Sequence, residues 1–352
     1  MPIYLAAEAF LRKAERGVVI DVRSPAEFFH AHIPGSHSLP LFSDEERARV
    51  GTAYKQLGKK EAVMEGFGLV GPKMQYLAEE GIRLAGSGTC VFLYCWRGGM
   101  RSNAMAFLLE KAGLEVFVLE GGYKSYRQWV RETFLIPFPM FILGGETGSG
   151  KTRVLKCMKD LGSQTIDLEF LARHKGSAFG SLENTPQPDT EQFENNLAAE
   201  IRNLNPSLPV WVEDESHTIG KVHVPDEIWF RMKKAPIFRL SVPREERIKT
   251  LMREYGVLPA ARLEDSLTKI RKRLGYDKFE SAIQDLQSGN LESVCRIVLD
   301  YYDKAYNYNH EKREWKDVFF VEGEGLDDEG RAKKILAFSE KMNSEWTTLK
   351  LN

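Results

Sequence analysis

The stretch "FILGGETGSGKT", residues 141–152, constrains the fold more than any other part of the chain. It fits the pattern G-x-x-x-x-G-K-[ST] from Gly145 through Glu146, Thr147, Gly148, Ser149 and Gly150 to Lys151 and Thr152. Glycines let successive backbone N–H groups turn inward on a phosphate, a lysine adds a point charge, and a threonine hydroxyl can ligate magnesium. An apolar run, "MFILGG", precedes the loop and an amphipathic pattern, "TRVLKCMKDLG", follows it. Strand, loop and helix in that order predict a parallel α/β sheet with an anion facing the helix N-terminus. The loop suits ATP, GTP or any other diphosphate ester equally well, and no NKxD-type guanine signature is present.

A chain of 352 residues is long enough for two domains, each with its own core. Short apolar runs ("GVVIDV", "TCVFLYC", "LEVFVLEGG") alternate with helical stretches ("NAMAFLLEKAG", "KSYRQWVRETF"). That rhythm predicts a first α/β domain over 1–134, with a helical insertion at about 41–85. "RETFLIPFPM", with Pro137 and Pro139, breaks the rhythm and places a boundary near residue 135. "QTIDLE", "LPVWVEDES" and "APIFRLSV" then predict a second α/β domain over 135–352, mostly helical after about 244.

The start, "MPIYLAAEAFLRKAERG", reads as a short amphipathic helix without a basic stretch and apolar signal core, so a cytoplasmic protein is expected. The most apolar segment, "FLIPFPMFILGG", is too short and too interrupted by proline to span a bilayer, so no membrane partner is expected. With 49 basic and 50 acidic residues and a net charge of -1, any nucleic-acid contact must come from a local basic face. Cys90, Cys95, Cys157 and Cys295 form no Cys-x-x-Cys pair and have no histidine at zinc-ligand spacing, which fits free thiols in a reducing compartment.

Cys95 stands apart in "LYCWRGGMRS". A strand delivers its thiol to a loop in which Gly98 and Gly99 permit tight turning, and a helix beginning near Ser102 aims N–H groups back at the sulfur. Those amides, with Arg97 and Arg101, favour a thiolate. The spacing is also Cys-x5-Arg, so two chemistries compete: attack on a phosphoester, and carriage of sulfur or selenium.

In the second half, "VWVEDES" ends in Glu213, Asp214 and Glu215, where Asp214 is the candidate for a substrate or magnesium-water contact opposite the loop. "DLEFLARHKGSAFG" offers Arg173 and His174 to an anionic substrate, although a solvated loop explains them as well. Lys269, Arg271, Lys272 and Arg273 in "KIRKR", with Arg239, Arg244, Arg247 and Arg253, are candidates for nucleic-acid phosphates, and a solvated helix face accounts for "KIRKR" equally.

"VVIDVRSPAEFFHAHIPGSHSLP" and "VFVLEGGYKSYRQW" resemble the rhodanese domain, through Asp21, Arg23, Glu27, His30, Ile33, Pro34, Gly35, Gly121 and Gly122. Together with "CWRGGMRS", "GTAYKQLGKKEA", "GGETGSGKT", "DLEFLARHKGSAFG" and "WVEDESHTIG", the chain resembles the bacterial tRNA 2-selenouridine synthase family over nearly its whole length. The resemblance implies a rhodanese-like domain followed by a P-loop domain. It implies a transferase that geranylates 2-thiouridine at the tRNA wobble position with geranyl diphosphate, then replaces the S-geranyl group with selenium from selenophosphate. Gly145 to Thr152 would then hold the diphosphate, with magnesium on Thr152, and Cys95 would act on selenium, as a thiolate able to form a selenylated cysteine. Arg97, Gly98, Gly99, Arg101 and Ser102 would form its chalcogen-anion loop. Partners would be a tRNA bearing 2-thiouridine and an enzyme supplying selenophosphate, with no tightly bound organic cofactor. The rivals are a Cys-x5-Arg phosphatase or a sulfurtransferase coupled to a nucleotide-binding domain.

Overall fold

The computed structural model describes residues 2–174, 186–312 and 317–350, with side chains omitted for 307–312 and 343–350. The chain divides into two compact units: Met1–Leu135 with Glu191–Ala199, and Ile136–Thr190 with Glu200–Asn352. Among the described residues no helix is long and apolar enough to cross a membrane.

In the first unit the strands are β1 (Ile3–Leu5), β2 (Val18–Asp21), β3 (His37–Ser38), β4 (Cys90–Tyr94) and β5 (Glu115–Leu119). The helices are α1 (Ala7–Ala14), α2 (Pro25–His30), α3 (Asp44–Gln56), α4 (Lys59–Val70), α5 (Met74–Ala85), α6 (Met100–Lys111) and α7 (Gly122–Thr133). The sheet order is β1-β5-β4-β2-β3 and every pairing is parallel. A parallel sheet covered on both faces requires near-continuous apolar strands, and Val91, Phe92, Leu93 and Tyr94 in the central β4 are fully buried. The inserted helices pack on that sheet, since Leu41, Phe42, Leu77 and Ala85 join Ile20, Leu93, Met105 and Val118 in one core.

The second unit holds β6 (Met140–Gly145), β7 (Gln164–Ile166), β8 (Val210–Glu213), a small antiparallel hairpin of β9 (Thr218–Ile219) and β10 (Val222–His223), β11 (Ile237–Ser241) and β12 (Val318–Glu322). Its main sheet is parallel in the order β12-β11-β6-β8-β7. The helices in this stretch of chain are α8 (Lys151–Asp160), α9 (Leu168–Ala172), α10 (Thr190–Arg202), α11 (Asp226–Lys234), α12 (Arg244–Tyr255), α13 (Ala260–Leu274), α14 (Tyr276–Gln287), α15 (Leu291–Lys312) and α16 (Asp328–Lys350). Helices α12 to α15 enclose a separate core of Ile248, Leu251, Leu267, Ile270 and Val298.

Three features depart from the sequence reading. Ile3–Leu5 is an edge strand rather than the start of a helix, a run too short for its period to show. Val318–Glu322 completes the second sheet inside the stretch read as mostly helical. Residues Glu191–Ala199 of α10 belong to the first unit, where Asn195 donates to the His32 carbonyl at 2.9 Å and to the Tyr123 hydroxyl at 2.8 Å.

Candidate functional sites

Ligands in open α/β sheets bind beyond the carboxyl ends of the strands, and each unit places one sequence-predicted loop there. In the first unit Cys95 follows β4 directly. The Gly99 N–H donates to Sγ at 3.4 Å, and the Ser102 hydroxyl lies 3.3 Å from it on the first turn of α6. Burial opposes ionisation of this thiol, but the Ser102 hydroxyl and the amides of Ser102, Arg97 and Gly99 outweigh it, so the pKa is held below its ordinary value.

The loop is clamped from the start of α7. Tyr123 N–H donates to the Cys95 carbonyl at 2.8 Å and Lys124 N–H to the Trp96 carbonyl at 3.0 Å. Gly122, at φ +62°, leaves no room for a side chain: a Cβ there would land on the Cys95 oxygen and the Gly98 nitrogen. Beneath lies the "DVR" segment. Arg23 pairs with Asp21 at 2.6 Å, donates to the Ala31 carbonyl at 2.7 Å and stacks 3.9 Å from the Tyr123 ring centre, with both charges buried.

Arg101 departs from its expected place on the anion. Its guanidinium donates to Glu27 at 2.7 Å, and Glu27 also closes the capping box of α2 with Ser24. Burial opposes ionisation of Glu27, but Arg101 and the Ser24 amide prevail and hold its carboxyl below the usual range. Arg97 is exposed on the loop.

In the second unit Gly145, Gly148 and Gly150 carry φ of +153°, +79° and +83°, values that side-chain-bearing residues rarely adopt. The Lys151 ammonium donates to the Gly145 carbonyl at 2.8 Å, and the Gly145 N–H donates to the Tyr306 hydroxyl at 3.0 Å. The carboxylate of Glu146, whose backbone amide is the group expected on the diphosphate, lies 3.2 Å from the buried Arg247, which also pairs with Asp303 at 2.8 Å and donates to the Thr147 carbonyl at 3.2 Å. The helical region thus braces the loop, and Arg247 is internal rather than available to nucleic-acid phosphates. Arg244 is likewise paired, with Asp300 at 2.6 Å.

Beside Thr152 three carboxylates converge. Glu169, Glu213 and Glu215 each offer an oxygen within 4.8 Å of the others', and the Thr152 hydroxyl donates to Glu169 at 3.2 Å. Burial first, and mutual repulsion second, push Glu213 and Glu215 well above the ordinary range; burial raises Glu169, with Lys151 opposing. Asp214, the acid singled out from sequence, is not in this group. Successive residues of an extended segment face opposite sides, so Glu213 and Glu215 share one side and Asp214 takes the other. Glu169 was missed altogether. It sits on α9, which Asp167 caps by accepting the Phe170 N–H at 2.8 Å, and acid at the first turn of so short a helix is common for capping reasons alone.

Arg173, at φ +50°, and His174 close the C-terminal end of α9, and burial lowers the His174 pKa with help from the Lys269 charge. The rest of that motif, 175–185, lies outside the described residues. Lys269, Arg271, Lys272 and Arg273 are exposed on α13, whose Ile270 and Leu274 are buried.

A thiol at the mouth of one parallel sheet and a phosphate loop at the mouth of another define a rhodanese-like domain joined to a P-loop domain. Residues 6–128 match the rhodanese-like domain family, and 138–328 match the family described as the tRNA 2-selenouridine synthase AAA domain. The chain is 35% identical over 336 residues to a tRNA 2-selenouridine synthase of Shewanella sediminis, covering 86% of this chain and 90% of that one. It is 33% identical over 327 residues to that of Psychromonas ingrahamii, covering 84% and 88%, and 31% identical over 367 residues to that of Nitrosomonas europaea, covering 90% and 95%. The chain belongs to the tRNA 2-selenouridine synthase family.

Proposed function

We propose that this protein converts 2-thiouridine at the tRNA wobble position into 2-selenouridine in two steps, one assigned to each unit. In the first, the thiocarbonyl sulfur attacks the allylic carbon of geranyl diphosphate. The carbon–oxygen bond breaks, diphosphate departs, and the uracil N3 proton is released. Amides from Gly145 to Gly150 and Lys151 bind the departing diphosphate, where charge develops; Thr152 would hold a magnesium ion, which would supply further positive charge there. In the second step selenium leaves selenophosphate as the phosphoryl group passes to water. It attacks C2 of the base, and geranylthiolate leaves. Alkylation makes this exchange feasible, because a bare thiocarbonyl is a poor leaving group. Cys95 serves this step as a thiolate in a loop whose amides favour anions.

The observation that carries the reading is the pairing on one chain of a thiol held below its ordinary pKa with a glycine-built phosphate loop. The engagement of Arg101 by Glu27 weighs against the phosphatase alternative, which needs that guanidinium on a phosphate. Mass spectrometry of tRNA nucleosides from cells carrying single variants tests the division of labour. Cys95→Ala is expected to stop 2-selenouridine while S-geranyl-2-thiouridine still forms, and Lys151→Ala to impair geranylation itself. Loss of both products in both variants would overturn the assignment of steps.

A further inference from the structure

In the first unit a column of aromatic rings runs from the protein interior to the surface beside the thiol. Tyr123, Tyr126 and Trp129 lie three positions apart on α7, which sets them on one side of that helix. Their ring centres follow one another at 5.8 and 5.6 Å. Trp96 continues the column from the other end of Tyr123, with ring centres 5.8 Å apart. Tyr123 is a fixed support. Its ring carries the Arg23 guanidinium at 3.9 Å, and its hydroxyl donates to Glu191 at 2.9 Å and accepts from Asn195 at 2.8 Å. The backbone of Trp96 is pinned as well, because the Tyr123 and Lys124 N–H groups hold the carbonyls of Cys95 and Trp96 at 2.8 and 3.0 Å. Even so, Trp96 is 41% exposed, whereas Cys95 is 3% exposed and Tyr123 wholly buried.

We propose that Trp96 is the platform on which the wobble base stacks during selenium transfer, the pyrimidine lying on the open part of the indole as the next ring of the column, with C2 turned to Cys95. The assignment rests on the function proposed above, in which the chemistry at C2 runs through that thiol. A sulfur so deeply set is approached through the mouth of its loop, where the exposed side chains are Trp96, Arg97 and Met100. Of these, the indole alone offers a flat face to a flat base. A base splayed out of an anticodon loop loses its stacking neighbours, and an aromatic side chain restores that contact. A ring already held by its backbone and by Tyr123 has little freedom left to lose when the base arrives. Because every base has a π-face, such a platform positions the base without choosing it.

The test uses the full chain, selenophosphate and tRNA carrying S-geranyl-2-thiouridine at the wobble position. Trp96→Phe keeps a ring and should retain kcat/KM within about threefold, whereas Trp96→Leu keeps only apolar bulk and should lose roughly five- to hundredfold, the range one base–aromatic stack carries. The pH midpoint of Cys95 alkylation should be the same in both variants and wild type, which separates a lost stack from a displaced loop. Stacking itself is read from the Trp96 fluorescence, taken as wild type minus Trp96→Phe. Product tRNA with 2-selenouridine should quench it, and the same tRNA lacking the wobble base should not. Full activity in Trp96→Leu would make Trp96 an apolar contact, as for the geranyl chain, and overturn the stack. Equal quenching by the abasic tRNA, or a lost activity that comes with a moved alkylation midpoint, would overturn it too. The fluorescence needs no turnover, so the stack can fail while the reaction stands; quenching without any 2-selenouridine formed by wild type would sink the reaction and keep the stack.

Discussion

Replacing Gly122 by alanine tests how the Cys95 loop is held. Gly122 has φ +62°, and a left-handed backbone costs a residue with a Cβ about 1–2 kcal/mol. The added methyl would also land on the Cys95 oxygen and the Gly98 nitrogen, and 2.8 Å from the Arg97 nitrogen. All three are backbone atoms that cannot swing aside, so an overpacking cost of about 1–3 kcal/mol is added. The sum is roughly 2–5 kcal/mol. At roughly 3 °C per kcal/mol for a domain of this size, the first unit should melt about 6–15 °C lower. Gly113→Ala is the control: φ is +92° there and no atom lies within 4 Å of the new Cβ, so only the backbone cost of about 1–2 kcal/mol applies. Differential scanning calorimetry of both variants isolates the steric part, and iodoacetamide alkylation of Cys95 reports whether the loop has shifted. Equal melting losses, with unchanged Cys95 reactivity, would refute the clamp.

Ser102→Ala removes the hydroxyl 3.3 Å from Sγ, one of the groups that lowers the thiol pKa, so the midpoint of Cys95 alkylation should move to higher pH. Glu27→Gln should destabilise the protein at neutral pH, and the gap should close in acid. A carboxyl held below its unfolded pKa contributes stability that is present above that unfolded value and is lost as pH falls through the folded one; urea titrations across the acid range measure it. Neutralising Lys269, Arg271, Lys272 and Arg273 together should weaken tRNA binding and flatten its salt dependence, by a log–log slope of about 0.7–0.9 for each phosphate that the variant no longer neutralises. An unchanged slope in filter binding would leave α13 as a solvated face.

Much of this architecture was legible because the informative segments are locally complete. "FILGGETGSGKT" contains its own strand, turn glycines and helix start, and "TCVFLYCWRGG" does the same for the thiol loop. What escaped is what depends on distant packing. Whether Arg101 points at an anion or at Glu27 is decided by α2, 74 positions away, and the pairing of Glu146 with Arg247 by helices beyond residue 244. Among Glu213, Asp214 and Glu215 the sequence offers three equal carboxylates, and only the alternation of an extended chain against a known neighbour selects two. Glu169 is invisible until α9 is folded against Thr152. Ile3–Leu5 and Val318–Glu322 are edge strands whose partners, β5 and β11, are far off in sequence, so their short runs carried no period to read.

The measurement closest to the central claim is an order-of-addition assay with purified protein and 2-thiouridine-bearing tRNA, followed by nucleoside mass spectrometry. With geranyl diphosphate alone, S-geranyl-2-thiouridine should accumulate. Adding selenophosphate should convert it to 2-selenouridine with wild type, and not with Cys95→Ala. Formation of 2-selenouridine from selenophosphate with no geranyl diphosphate present, or its full formation by the Cys95→Ala protein, would contradict the account.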